Sequence, residues 1–333
     1  MNKQQSYCQC LVLNLNFDLN LNFSSMRLLK GLLLIMGGLL TVVGNAQEEK
    51  AFSFSEAEQE IEALAKTIVT DSLLENRVAA HKQLNAVLQK TLEHPNSFTY
   101  PFEELQSVSV QMPEDSTFRV FTWQLFVDND TYKYGGLLQV NKKEEPTLYP
   151  FTDASDEIAS YDIAYDILSP DNWYGALYYN IQEFDTLDQK KYLLFGFDGF
   201  QFFHKRKIVE VLSFDEEGQP VFGAEVFTKE VEGYPASTQN RLYAEYDASI
   251  SVRLNYDPSL DIIIQDHLVQ MRGQYRGQGM VNVPDGSYEG YYFQEGQWHY
   301  KTKIFDFISE EPPRPEPVFN EDRRGIFGRK TRN

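Results

Sequence analysis

Five histidines, two cysteines and 49 aspartates and glutamates are the residues of this 333-residue chain that could carry chemistry. Their spacing argues against most of it. Cys8 and Cys10 form a Cys-x-Cys pair with no second pair to complete a four-ligand zinc site. His81 falls on the apolar stripe of a helical pattern and reads as a core or interface histidine; His94 precedes a proline at a helix end, where a cation is favourable. His204 sits in a basic run, His267 follows Asp266, and His299 follows Trp298. Neighbours on a strand point to opposite faces, so Asp266-His267 is no catalytic pair. Gly286-Ser287-Tyr288-Glu289-Gly290 has the wrong register for a nucleophile elbow. Asp128-Asn129-Asp130 opens like a calcium loop but lacks the later acidic ligands and reads as a turn. Phosphate-loop and dinucleotide fingerprints are missing, and no cofactor is called for. A carboxylate pair of the glycosidase kind could be drawn from so many acids, but sequence does not locate it.

One aromatic run invites a different chemistry. Trp173-Tyr174-Gly175-Ala176-Leu177-Tyr178-Tyr179 lies near Asp162, Asp166 and Asp171. Strand alternation would place Trp173, Gly175, Leu177 and Tyr179 on one face and Tyr174, Ala176 and Tyr178 on the other. Such rings form a cross-strand aromatic ladder or, alternatively, a stacking platform for a sugar or peptide. Arg272 and Arg276 stand in a glycine-rich loop, Arg272 to Gly279, that could meet an anion or simply be solvated. Trp173, Tyr174, Tyr178, Tyr179, Arg272 and Arg276 are therefore the candidate ligand-binding residues.

The elements that must position these residues begin after an export signal. Met26 to Lys30 is cationic, Gly31 to Val43 is apolar and uncharged, and Gly44-Asn45-Ala46 supplies small residues, so cleavage is expected between Ala46 and Gln47. The apolar run is short of the roughly 20 residues a membrane span needs. Residues 1–25 have no evident use before such a signal, which suggests Met26 as the start. Loss of Lys3, Asp18, Arg27 and Lys30 takes the net charge from −19 to −21 and leaves a chain without cysteine, hence without disulfides. That charge disfavours nucleic acid, whose binding needs a clustered basic face. It fits a periplasmic or secreted protein.

Residues 47–99 read as a helical hairpin. Ser55 and Glu58 suggest a capping box, Ile61, Leu64 and Ile68 form one stripe, Leu74 to Leu92 a second, and His94-Pro95 a stop. Residues 100–308 read as an antiparallel β domain of roughly a dozen strands, a meander of sandwich or barrel-like form. Phe118 to Val127 is apolar on both faces, as a doubly covered central strand requires. Asp198-Gly199 suggests a two-residue hairpin turn, and Ile250 to Tyr256 alternates like a half-exposed strand. Residues 309–333, proline-rich and charged, read as a disordered tail.

The export signal, the helical hairpin, the segment Trp173 to Asn180 and the segment Leu193 to Gly199 together resemble a group of uncharacterised exported β-rich proteins of Gram-negative bacteria. The resemblance implies address and fold type and supplies no activity or site residues. The functional expectation is a binding or structural module of the cell envelope, for glycan, peptide or another envelope protein, with an envelope-polymer hydrolase as the alternative. N-terminal sequencing of the native protein is expected to begin at Gln47; an intact Met1 would refute export by this signal.

Overall fold

The computed structural model describes residues 52–305, apart from 143–145, 159–162, 231–232 and 234. The expected cleavage site at Ala46 and Gln47, and the tail 309–333, lie outside the described residues. Strand exceeds helix, 46% to 17%, so the protein is mainly β. No described helix is long and apolar enough to cross a membrane.

Two helices lead, α1 (Phe54–Thr70) and α2 (Leu74–Leu92). The cap of α1 is Ser53, not Ser55: its hydroxyl accepts from the Glu56 amide at 3.4 Å. Glu58 is buried and unavailable for a capping box, because it accepts from the Tyr100 hydroxyl at 2.5 Å and the Glu104 amide at 2.8 Å. That carboxylate pushes the Tyr100 hydroxyl up to about 12.

Among the described residues fifteen strands follow, in three open sheets. The first has the order β1-β2-β3-β4, from β1 (Ser109–Gln111), β2 (Phe118–Asp128), β3 (Thr131–Val140) and β4 (Thr147–Phe151). The second has the order β11-β7-β6-β5, from β5 (Leu177–Asp185), β6 (Lys190–Asp198), β7 (His204–Phe214) and β11 (Arg241–Asp247), with β8 (Pro220–Phe222) beside β7. The third has the order β10-β9-β15-β14-β13-β12, from β9 (Phe227–Lys229), β10 (Ser237–Gln239), β12 (Leu254–Asp257), β13 (Ile262–Arg272), β14 (Met280–Gln294) and β15 (Gln297–Lys301). Pairing is antiparallel except between β9 and β15, where Phe227 lies beside Trp298 in parallel. No barrel closes.

Side-chain alternation stacks these layers. Phe121, Trp123 and Leu125 of β2 pack with Ile61, Leu84 and Leu88 of the helices. Phe118 and Val120, on the opposite face, join Leu194, Ile208 and Leu212 of the second sheet. Leu193, Phe195, Val209 and Val211 then face Phe227, Ile263 and Trp298 of the third. The order is thus helices, sheet, sheet, sheet, and β2 is the doubly covered strand its composition implies. Buried arginines tie the first sheet to its cover through carbonyls: Arg77 of α2 donates to Phe126 O at 3.0 Å, and Arg119 of β2 donates to Ser97 O and Tyr100 O in the segment after α2, each at 2.7 Å.

Three local expectations are corrected. The β6–β7 connection is a five-residue loop, not a two-residue turn. Gly199 is needed there for close approach, since a Cβ would lie 2.7 Å from Gln124 Nε2; the left-handed residue is Phe200, at φ 47°. The half-exposed strand shrinks to β12: Arg253 O still accepts from the Asp266 amide at 3.0 Å, but the Arg253 amide is diverted to the Asp266 side chain at 2.6 Å.

Between the first two sheets lies an ion pair without exposure. Arg241 Nε donates to Glu210 at 2.7 Å, Tyr178 donates to the other Glu210 oxygen at 2.6 Å, and Trp173 Nε1 donates to the Tyr178 hydroxyl at 2.7 Å. Arg241→Met strands the Glu210 charge and is expected to cost about 3–5 kcal/mol in urea unfolding. Replacing both partners by apolar residues should cost less than the single change.

Candidate functional site

The aromatic run singled out by sequence is interior. Trp173 and Tyr178 have no exposed surface, and Tyr174 has 2%. Strand alternation does not hold from residue 173, because β5 begins only at Leu177 and Gly175 takes φ 85°, reversing the chain locally. Trp173 and Tyr178, expected on opposite faces, consequently hydrogen-bond to each other. Half-buried Tyr179 turns to the third sheet, donates to Leu254 O at 2.5 Å and carries Lys207 Nζ 5.1 Å from its ring centroid. None of the four rings is a free platform. Asp171 is exposed, Asp166 is half-buried, and Asp162 is outside the described residues.

Tyr174 belongs to a buried polar web. Asp198 accepts from Tyr174 Oη at 2.6 Å, Tyr134 Oη at 3.0 Å and the Phe200 amide at 2.8 Å, while the Arg206 guanidinium lies 3.4 Å from the Phe200 ring centroid. Burial pushes the Asp198 carboxyl above its ordinary range, outweighing the hydroxyl and amide donors that would lower it. These donors and partners fix the loop 199–203.

That loop builds an aromatic cleft which the sequence did not reveal. Phe202, Phe203 and Tyr275 line about 470 Å³ with Asp247, Ser249 and Gln278. Tyr275 is 59% exposed and Phe202 52%. The rings of Phe203 and Tyr275 are stacked, 20° apart in plane with centroids at 6.4 Å, and Phe202 meets Phe203 edge-on at 4.9 Å. Beneath them, Asp247 accepts from the Ser249 hydroxyl at 2.7 Å and Gln278 Nε2 at 2.8 Å. Burial alone would raise the Asp247 carboxyl, but the bonds from Ser249 and Gln278 hold it below the usual range. Gln278 also accepts the Tyr275 amide at 3.1 Å, so the glycine-rich loop is anchored at the cleft. Arg272, at the end of β13, and Arg276, in the loop, are exposed near this cleft in sequence but do not line it.

A second, polar cleft of about 440 Å³ lies where the edge strand β11 meets the third sheet, lined by Tyr243, Glu245, His267, Asn282, Glu289 and Tyr300 among others. Glu289 is buried and accepts from Gln265 Nε2 and Tyr300 Oη. His267 pairs with Asp285, at 2.9 Å, and not with its neighbour Asp266. His81 accepts from Trp123 Nε1 at 3.1 Å, a packing role between helix and sheet, and burial lowers its pKa. Among the described residues no three His, Cys, Asp or Glu side chains gather as a metal site would require.

A carboxyl raised on folding binds its proton more tightly in the folded state. The contribution of Asp198 to stability is therefore full below about pH 4 and is lost as pH rises through its raised value. Urea midpoints of Asp198→Asn relative to wild type are expected to shift in the variant's favour between about pH 4 and pH 7; a flat difference would show that Asp198 titrates normally. Compared with known protein families, curated proteins and solved structures, the chain matches none.

Proposed function

We propose that this is an exported envelope protein, periplasmic or secreted, that acts as a binding module and takes a saccharide at the aromatic cleft. The observation that carries the reading is the Phe203–Tyr275 stack, its Tyr275 ring exposed and Phe203 half-buried, beside the hydrogen-bonded Asp247–Gln278 pair. Flat rings meet the apolar face of a sugar, and fixed polar groups beside them orient its hydroxyls. Phe202 widens the same surface. A peptide or another envelope protein would be recognised by the same rings with less use for the polar floor.

The second reading, a hydrolase of envelope polymers, draws support from Glu289, a buried carboxylate on a cleft with no ion-pair partner among the described residues. Turnover of a glycan in a binding screen would favour it over the binding module.

Tyr275→Ala is expected to weaken glycan binding roughly tenfold while leaving the melting temperature near that of wild type, since the ring is mostly exposed. Isothermal titration with a glycan panel checks it. Unchanged affinity in a folded variant would remove the aromatic cleft from the proposal.

A further inference from the structure

We infer that the polar cleft beside β11 recognises the acetamido group of an N-acetylated amino sugar, an inference that rests on the saccharide reading above and adds a selective group to it. β11 is the edge of the second sheet, with β7 on its inner side only. In an antiparallel ladder alternate residues turn both backbone groups to the same neighbour. Two contacts show which residues turn outward: the Arg241 amide donates to Ala164 O at 3.2 Å, and Glu245 O accepts from Asn282 Nδ2 at 2.9 Å. Tyr243, between them, is outward by the same alternation, and its N–H and C=O have no backbone or side-chain partner among the described residues. One donor and one acceptor thus stand together on a cleft wall, the complement of a single secondary amide.

The gap favours a small amide over a peptide strand. Ala164 and Asn282 occupy the edge on either side, which leaves too little ladder for strand addition. The remaining lining suits a sugar. Glu289 has both oxygens fixed, by Gln265 and Tyr300, and retains lone pairs for hydroxyl donors. Lys229 Nζ lies 4.2 Å from the Tyr300 ring centroid and adds a donor to the same lining. The volume, about 440 Å³, falls in the range of small-ligand sites.

The test compares tri-N-acetylchitotriose with cellotriose, which share a backbone and differ in the acetamido groups, by titration calorimetry on the full chain. The acetylated sugar is expected to bind at least roughly tenfold tighter, because a site matched to an amide loses paired groups when the amide is missing. Equal binding overturns the inference and leaves the saccharide reading standing. Binding of neither sugar, nor of any glycan in the panel, overturns both. Peptide binding displaced by changes at Tyr243 would assign the edge to peptide and overturn the inference. Tyr243→Pro removes the outward N–H at an edge position that tolerates proline, and should bring the two affinities to near parity, whereas Tyr243→Ala keeps the preference. If the proline variant does not fold, the backbone amide resonance of Tyr243 in ¹⁵N-labelled wild type reads the same contact. It should shift with the acetylated sugar and stay still with cellotriose; an unmoved resonance overturns the inference.

Discussion

A guanidinium and a carboxylate with no access to water sit between two β-sheets, and the stacking of the molecule follows from satisfying them. Glu210 projects from β7 and Arg241 from the neighbouring β11, so the pair exists only if those strands hold register. The cost of desolvating two charges is offset only when every remaining polar group finds a partner. Tyr178 donates to the carboxylate, Trp173 donates to the Tyr178 hydroxyl, and Arg241 Nη1 donates to Ile163 O. The aromatic run and the segment around Ile163 each supply partners from outside the two strands. The aromatic run after Asn172 is therefore spent on closing an electrostatic problem in the interior.

This explains what sequence could and could not reveal. Phe118 to Val127 advertises double burial because both of its faces are apolar, and the two helices advertise themselves through their stripes. Such signals are local and periodic. Whether Trp173 faces water or Tyr178 depends instead on a left-handed Gly175 and on Glu210 on a strand two places away in the sheet, and neither alters local periodicity. Glu58 likewise has the spacing of a helix cap, yet it is claimed by Tyr100 and Glu104 from beyond the hairpin. The aromatic cleft joins Phe202 and Phe203 to Tyr275, from loops that no sequence window spans.

β11 organises both surfaces considered for binding. Its first residue enters the buried ion pair, its last, Asp247, braces the aromatic cleft, and its outer edge borders the polar one. A strand pinned this firmly at one side can present unpaired groups at the other without fraying. Arg206, paired with Glu245 at 2.9 Å, adds a further tie across the same two strands. Rigidity at a binding wall reduces the ordering that a ligand must impose.

The parallel contact of β9 with β15 has a consequence for the order in which the chain can assemble. β15 lies between β9 and β14, so the third sheet is interrupted until the last described strand arrives. Until then Phe227 lacks its cross-strand neighbour Trp298, and the outer face of the middle sheet is only partly covered. A closure that waits on such distant partners raises the entropic barrier and slows folding. A chain stalled before residue 297 would expose two receptive strand edges at once, which makes the final hairpin a checkpoint against premature folding and a point of vulnerability to strand exchange between copies.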